Sequence, residues 1–229
     1  MSVKALLFDL DDTLYEYAPC NRRALQAARE ILSEVLKVSS AEFRDLHDKI
    51  RGELAVELSG QAASHNRAIF FKRMVEEFVG SSNPQLVAKM YQEYWQAFYE
   101  TVQPQVDAVE VLSHFRKSYR LALISNHTTL PQLGKISALG LEDFFEVVVT
   151  SEEAGVEKPV AHIFQMALAR LGVCAHEAVM IGDDVIGDIS GAAALGISPI
   201  QTIEFTEAVE SEQADHVVTQ LGELLDISL

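Results

Sequence analysis

The 229-residue sequence is poor in cysteine and has no long hydrophobic run. Its two cysteines, Cys20 and Cys174, are widely separated and belong to no CxxC motif, which argues against a disulfide framework or a zinc site. It contains no uninterrupted run of about 18 apolar residues, the length needed to cross a membrane. The amino terminus carries an acidic residue where a secretory signal needs an apolar centre. We therefore expect a cytoplasmic protein without a membrane partner.

Basic residues are also scarce. Eighteen Lys and Arg face 34 Asp and Glu, which gives a formal net charge of −16. A field of this sign repels nucleic acid, so we expect no nucleic-acid partner. It also repels a phosphorylated substrate at long range. Any phosphate site in this protein therefore needs a local metal ion or cationic side chain.

The hydrophobic pattern changes twice along the chain. An apolar strand is predicted at 3–8, and residues 21–102 then show apolar positions at helical spacing, enough for about four helices and no strand. From residue 103 onward, predicted strands and helices alternate, which is typical of a parallel sheet covered by helices. The predicted fold is α/β, with a Rossmann-like parallel sheet core, helices on both of its faces, and an all-helical cap domain.

The cap is predicted to be an insertion into the α/β core domain. We assign residues 1–16 and 103–229 to the core and residues 17–102 to the cap. The linkers between them are predicted near 15–19 and 101–104, and the pattern favours neither a monomer nor an oligomer.

Polar residues follow three of the predicted strands, at the point where each strand ends. They are Asp9 with Asp11, Ser125 with Asn126, and Asp183 with Asp184. Ligands of open α/β sheets bind outside the carboxyl ends of the strands, so these three groups should meet in one crevice. Clustered carboxylates are the hard oxygen ligands that Mg²⁺ prefers beside phosphate oxygens. A carboxylate can also attack phosphorus to form an aspartyl-phosphate.

Four short motifs occur in an order that resembles the haloacid dehalogenase superfamily. They are DLDDT from Asp9 to Thr13, Ser125 after an apolar strand, Lys158 in EKP, and GDDVIGD from Gly182 to Asp188. The likeness covers the whole chain, including a helical cap after the first motif. It implies the phosphatase branch of that superfamily, with members that act on sialic-acid phosphates and nucleotides among the similar ones.

The resemblance implies catalytic roles for three residues. Asp9 would be the nucleophile and a Mg²⁺ ligand. Asp11 would protonate the leaving group and then deprotonate the attacking water, while its backbone carbonyl reaches the metal. Lys158 would pair with Asp9 and with the phosphoryl oxygens, which supplies the local positive charge that a phosphate site needs here.

The resemblance also implies binding roles for the other motif residues. Ser125 and the backbone amide of Asn126 would bind the transferring phosphoryl group, and Thr13 would steady the first loop beside the substrate. Asp183 would be the second acidic arm on Mg²⁺, and Asp188 would hold a metal-bound water or Lys158.

Three residues depart from the family pattern or are ambiguous. Asp12 and His127 stand where many relatives carry Gly, and we expect both to be loop residues without a chemical role. Asp184 is interpreted either as a metal ligand or as a carboxylate just outside the metal. In the cap, Arg67 resembles a basic residue that related sialic-acid-phosphate and nucleotide phosphatases carry on a cap helix, and we predict that it binds substrate.

The motifs favour a phosphatase over other reactions of the superfamily. Metal-free dehalogenation needs neither an acid at Asp11 nor an acidic arm such as Asp183 with Asp188. We predict a Mg²⁺-dependent phosphomonoester hydrolase that works through an aspartyl-phosphate on a small phosphorylated metabolite, such as a sugar phosphate or a nucleotide. The alternatives are a 2-haloacid dehalogenase-type hydrolase, a phosphomutase, and a non-catalytic binding protein on the same scaffold.

Overall fold

The computed structural model describes residues 2–206 and 209–229. Two compact units make up the chain. The first consists of the residues up to Tyr17 together with Gln103–Leu229, and the second is Ala18–Val102. In the described part of the chain, no helix has both the length and the apolar character that a membrane span requires.

The first unit is built on a six-stranded sheet in which every neighbouring pair of strands is parallel. In chain order the strands are β1 (Ala5–Phe8), β2 (Arg120–Ser125), β3 (Val147–Thr150), β4 (Ala178–Gly182), β5 (Ser198–Thr202) and β6 (His216–Val218). Their order across the sheet is β3-β2-β1-β4-β5-β6. The predicted parallel α/β fold is confirmed.

Nine α-helices are described in residues 2–206 and 209–229. They are α1 (Tyr17–Val35), α2 (Ser40–Glu57), α3 (Arg67–Val79), α4 (Pro84–Thr101), α5 (Ala108–Phe115), α6 (Thr129–Ala138), α7 (Ser151–Ala154), α8 (Ala161–Leu171) and α9 (Gly191–Ala193). Helix α1 begins inside the segment that the sequence predicts as a linker. Pro19 is compatible with this start because it lies in the first turn, where its missing N–H costs no hydrogen bond.

The central strands β1 and β4 are apolar, and β2 is apolar between Arg120 and Ser125, because both faces of the sheet are covered. All four residues of β1 are fully buried, and Leu7 pairs in register with Ala122 of β2 and Met180 of β4. Phe164 and Leu168 of α8 belong to the same buried cluster as these strand residues. Since β1 lies between β2 and β4, the carboxyl ends of these three strands are neighbours at one edge of the sheet.

The second unit is helical and has an aromatic core. The ring of Tyr94 in α4 packs 5.6 Å from that of Phe71 in α3 and 5.0 Å from that of Trp95, measured between centroids. Asn66 caps α3 by accepting hydrogen bonds from two backbone amides of the first turn. The prediction of about four helices without a strand agrees with α1 to α4, to which the structure adds one short 3₁₀ turn at Ala62–His65.

Candidate active site

Three carboxylates meet at the carboxyl edge of the sheet. Asp9 follows β1, Asp183 follows β4, and Asp188 lies five residues further along the chain. One carboxylate oxygen from each lies within 4.8 Å of the others. Asp9 and Asp188 are buried, and Asp183 is half-buried. The structure therefore brings together three of the acidic residues that the sequence analysis singles out.

Lys158 is the buried cation of this cluster. Its Nζ donates to Asp9 Oδ1 at 2.5 Å, to Asp188 Oδ1 at 2.6 Å and to the backbone oxygen of Ile124 at 3.1 Å. The side chain of Asn126 holds the backbone of Lys158 from both sides, because Oδ1 accepts from its N–H at 2.7 Å and Nδ2 donates to its carbonyl at 3.1 Å. Asn126 thus fixes the loop that delivers the ammonium group.

The electrostatics of the cluster are set by burial and by the crowding of like charges. Burial raises the pKa of Asp9 well above its ordinary value, against the attraction of Lys158 and with the repulsion of Asp188 and Asp183. Burial, together with the charge of Asp188, raises the pKa of Asp183 to about 7. For Lys158, burial lowers the pKa, but Asp188 and Asp9 outweigh it and hold the value above the ordinary one.

A turn of π-helix places Asp188. The structure has a π-helical turn at Val185–Ser190, followed by the short α9. The carbonyl of Asp184 accepts from the N–H groups of both Asp188 and Ile189, which widens the turn. Gly182 is required beside it, since a Cβ at this position would come within 2.2 Å of the Asp188 carboxylate.

The predicted phosphoryl-binding residues are buried next to the cluster. Ser125 ends β2, and its hydroxyl accepts a hydrogen bond from Nε2 of Gln132 in α6. Thr13 is buried, with its hydroxyl 3.5 Å from Asp183 Oδ1. Both hydroxyls therefore lie in the first unit, at the same edge of the sheet as the carboxylates.

Asp11 is not part of the carboxylate cluster and has a cation of its own. Nζ of Lys135 in α6 lies 2.8 Å from each carboxylate oxygen of Asp11, and the hydroxyl of Tyr15 donates to Asp11 Oδ1 at 2.5 Å. Lys135 is fully buried. Burial raises the pKa of Asp11, but the Lys135 ammonium reverses this and holds the pKa below its ordinary value.

No motif or hydrophobic pattern in the sequence predicts a role for Lys135, because α6 buries polar residues. Gln132 and Lys135, three residues apart, are completely buried, whereas Leu130 is 74% exposed and Leu133 is 46% exposed. Hydrophobic periodicity alone would predict that Leu130 and Leu133 face the core and that Gln132 and Lys135 face solvent. The sequence does offer one signal for the observed orientation of the helix. The apolar residues Ile136 and Leu139 lie on the face that carries Gln132 and Lys135, and both are buried.

The ambiguous residues have local structural partners. Asp12 has a φ of 59°, in the left-handed region that favours glycine, and its Oδ1 accepts from the N–H of Tyr17 at the start of α1 at 2.8 Å. Asp184 Oδ1 accepts from the N–H of Ile186. His127 is buried, and its Nδ1 accepts from the N–H of Thr128 at 2.8 Å. Each group is engaged in the conformation of its own loop.

Arg67 belongs to the second unit. Its Nε donates to the hydroxyl of Tyr94 at 3.1 Å, and the guanidinium carbon lies 5.4 Å from the centroid of the same ring and 5.9 Å from that of Phe70. The Tyr94 hydroxyl in turn donates to Oδ1 of Asn21 at 2.7 Å. These contacts fix the direction of the guanidinium group within the second unit.

The carboxylate cluster fits a divalent cation. When Asp9, Asp183 and Asp188 are all ionised, the single ammonium of Lys158 leaves an excess of two negative charges in a mostly buried site. The donor atoms are carboxylate oxygens, which suit hard cations better than the softer metals that prefer thiolate or imidazole. The residues present thus match a site for a hard divalent metal ion.

The chain is similar to known proteins over most of its length. Residues 3–196 match the family model for the haloacid dehalogenase-like hydrolases. A ribulose-1,5-bisphosphate 5-phosphatase of Halopiger xanaduensis is 40% identical over 234 residues, which cover 97% of this chain and 98% of that protein. A glyceraldehyde 3-phosphate phosphatase of Methanothermobacter thermautotrophicus is 33% identical over 217 residues, covering 94% and 91%.

Among solved structures, a 2-haloacid dehalogenase of Pseudomonas syringae pv. Tomato superimposes with a TM-score of 0.80. It is 26% identical, and the match covers 98% of this chain and 97% of that one. Relatives with two different reactions therefore share this fold, and the choice between the reactions depends on the residues of the site.

We predict that Asp183→Asn stabilises the metal-free protein and weakens its response to Mg²⁺. At pH 8 the Asp183 carboxylate, with its pKa of about 7, is ionised and repelled by its neighbours. Relieving this repulsion should raise Tm by about 2–4 °C for each kcal/mol gained. Thermal unfolding with chelator and with Mg²⁺ measures both effects, because ligand binding to the native state raises Tm.

The control variant is Asp143→Asn, which removes the same charge at an exposed position of the first unit. It should respond to Mg²⁺ as the unmodified protein does. Equal Mg²⁺-induced shifts in Asp183→Asn and in the unmodified protein would contradict a metal site at Asp183.

Proposed function

Since the chain belongs to the haloacid dehalogenase-like hydrolase family, we propose that it is a Mg²⁺-dependent phosphatase of small sugar phosphates that works through an aspartyl-phosphate on Asp9. The observation that carries this proposal is the cluster at the carboxyl edge of the sheet. Lys158 joins Asp9 and Asp188 there, and Asp183 completes a set of three carboxylates. Two proteins that are similar to this chain over more than nine-tenths of its length are named as phosphatases.

The side chains of the site divide the reaction between them. Asp9 attacks phosphorus through one carboxylate oxygen, and the ester oxygen leaves as an alcohol. Lys158 and the Ser125 hydroxyl stabilise the negative charge on the transferring phosphoryl group. Asp11 gives a proton to the leaving oxygen and takes one from the water that releases phosphate. Thr13 and the Asn126 backbone amide complete the binding of the phosphoryl group.

Asp9, Asp183 and Asp188 are the proposed side-chain ligands of Mg²⁺, with the backbone carbonyl of Asp11 as a further ligand. When bound, the metal acts as a Lewis acid on a phosphoryl oxygen. The same charge reverses the repulsion that a protein of net charge −16 exerts on a phosphorylated substrate. The raised pKa values of Asp9 and Asp183 fit this role, since they reflect carboxylates that are buried and then crowded by like charges.

The substrate class we propose is the sugar phosphates, with sugar bisphosphates tested first. Two relatives support this choice over nucleotides, because the names of both give a short-chain sugar phosphate as substrate and both match over nine-tenths of this chain. The dehalogenase with the same fold is less similar in sequence. Asp11 and the acidic pair Asp183 and Asp188 also favour phosphate chemistry, since metal-free dehalogenation needs neither.

A substrate panel tests this proposal. Phosphate release is measured from ribulose 1,5-bisphosphate, glyceraldehyde 3-phosphate, nucleotides and p-nitrophenyl phosphate, with Mg²⁺ and with chelator. We expect turnover with Mg²⁺ only, fastest on sugar phosphates. Asp9→Asn should lower it by about 10⁴-fold or more, since loss of a nucleophile removes the covalent step.

Asp143→Asn serves again as the control and should retain activity. Halide release from 2-haloacids without metal, together with no phosphate release, would assign the dehalogenase reaction instead. A folded protein that releases neither phosphate nor halide would favour the alternative of a non-catalytic binding protein.

Arg67 is the cap residue that we propose to bind the part of the substrate away from the reacting phosphate. Its guanidinium is held in direction by Tyr94 and Phe70, and a rigid guanidinium suits a second phosphate or a carboxylate. Arg67→Ala should raise KM for the best sugar phosphate by about 10-fold, equivalent to about 1.4 kcal/mol, with little change in kcat.

Arg73→Ala is the matched control for Arg67, because Arg73 lies on the same helix and pairs with Glu57 at 2.6 Å. Steady-state kinetics on a bisphosphate and on a monophosphate should separate the two variants. If Arg67→Ala leaves KM and the substrate profile unchanged, Arg67 does not bind substrate.

A further inference from the structure

The ion pair between Lys135 and Asp11 is the unusual feature of α6. Lysine is almost never fully buried unless it is paired, and Lys135 is completely buried. Removing two charges from water costs free energy that their attraction often fails to repay, so an apolar residue of similar volume commonly serves stability as well or better. Stability alone therefore gives little reason for this pair, which suggests that it serves the reaction.

The contacts fix the direction of the Asp11 carboxylate from two sides. Both of its oxygens lie 2.8 Å from Nζ of Lys135, and Oδ1 also accepts from the Tyr15 hydroxyl at 2.5 Å. The Lys135 ammonium itself lies 5.9 Å from the centroid of the Tyr15 ring and 5.4 Å from that of Tyr17. A carboxylate held this way has little freedom to rotate.

The same face of α6 also holds the Ser125 hydroxyl. Gln132, one turn before Lys135, donates to Ser125, and both side chains are completely buried. One helix thus contacts the phosphoryl-binding hydroxyl and the proposed acid and base. This arrangement depends on the orientation of α6, which buries Gln132 and Lys135 and exposes Leu130 and Leu133.

We propose that Lys135 is a positioning residue that fixes the Asp11 carboxyl group for proton transfer in both halves of the reaction. The inference rests on the proposed phosphatase function. Tyr15 supports the same carboxyl group from the other side. Lys135 touches neither the phosphoryl group nor the metal in this assignment, and it acts only through Asp11.

The two halves of the reaction balance as follows. In the first, an oxygen of Asp9 bonds to phosphorus as the ester P–O bond breaks. The leaving oxygen takes a proton from Asp11, which is a carboxylate in its resting ion pair with Lys135 and takes this proton up from solvent before the transfer. In the second, a water oxygen bonds to phosphorus as the P–O bond to Asp9 breaks, and Asp11 takes one proton of that water and releases it to solvent. One water is consumed for each ester, and Asp9 and Asp11 return to their initial states.

The quality of the leaving group separates the two halves. Nitrophenolate leaves without a proton, whereas a sugar alkoxide needs the proton from Asp11. With Lys135→Met we expect p-nitrophenyl phosphate to give a rapid burst of nearly one nitrophenolate per site, followed by slow turnover. With the best sugar phosphate we expect no burst and a kcat about 10²-fold lower, near the lower end of what acid and base catalysis contributes. KM should change little.

A double-mutant cycle tests whether Lys135 acts through Asp11. Lys135→Met should cost about 10²-fold in kcat when Asp11 is present and nothing further when Asp11→Asn is already present. If the two losses multiply, or if the nitrophenolate burst disappears along with sugar phosphate turnover, Lys135 has a structural role and the proposal is wrong.

Two further variants complete the test. Lys117→Met is the control, because it removes an exposed lysine of the same unit, and it should retain activity. Tyr15→Phe removes only a hydroxyl from Asp11, so it tests the positioning if Lys135→Met does not fold. It should show the same pattern, a nitrophenolate burst with slow turnover and a lower kcat on sugar phosphates without a burst. If Lys135→Met folds and its kinetics are unchanged, the positioning proposal is wrong while the phosphatase function stands. If Lys135→Met does not fold, unchanged kinetics of Tyr15→Phe lead to the same conclusion. An unmodified protein inactive on both esters would instead refute the phosphatase function itself.

Discussion

The site depends on one buried ammonium group, that of Lys158, placed between two carboxylates. Its contacts with Asp9 and Asp188 are 2.5 and 2.6 Å long, and they join residues far apart in the sequence. Without this cation, the buried carboxylates would face each other with no compensating charge, which is one of the costliest arrangements in a protein interior. Even with it, Asp9 and Asp183 have raised pKa values. In the proposed function, the remaining negative charge is what would attract a divalent cation and, through that cation, a phosphate group.

The sheet makes this concentration of charge possible. Strand β1 lies between β2 and β4, so the residues that follow all three strands emerge side by side where the strand order changes direction. The strands themselves are short and apolar, and they carry no charge within the core. Local devices then complete the site: the π-helical turn and Gly182 make room for Asp188, and the Asn126 side chain fixes the backbone of Lys158. Fold and site are therefore coupled at a few backbone positions.

Much of this arrangement can be predicted from the sequence, because the two patterns that indicate it are local. Continuous apolar runs predict strands buried on both faces, and polar residues directly after them predict the location of the site. The burial of Lys135 cannot be predicted in the same way, since its helix buries Gln132 and Lys135 and exposes Leu130. The partner of Lys135 is Asp11, more than 120 residues away in the sequence, and no local pattern records that contact. The start of α1 at Tyr17 and the π-helical turn are likewise set by hydrogen bonds to Asp12 and Asp184.

The central claim is that Asp9 carries the phosphoryl group during turnover. The most direct test is to quench the protein with acid during reaction with its best substrate and Mg²⁺, and to locate covalent phosphate on peptides by mass spectrometry. The account predicts one phosphoryl group on the peptide that contains Asp9, attached at that residue, and none when chelator replaces Mg²⁺. Phosphate release without any phosphorylated peptide, or a phosphoryl group attached at another residue, would contradict it.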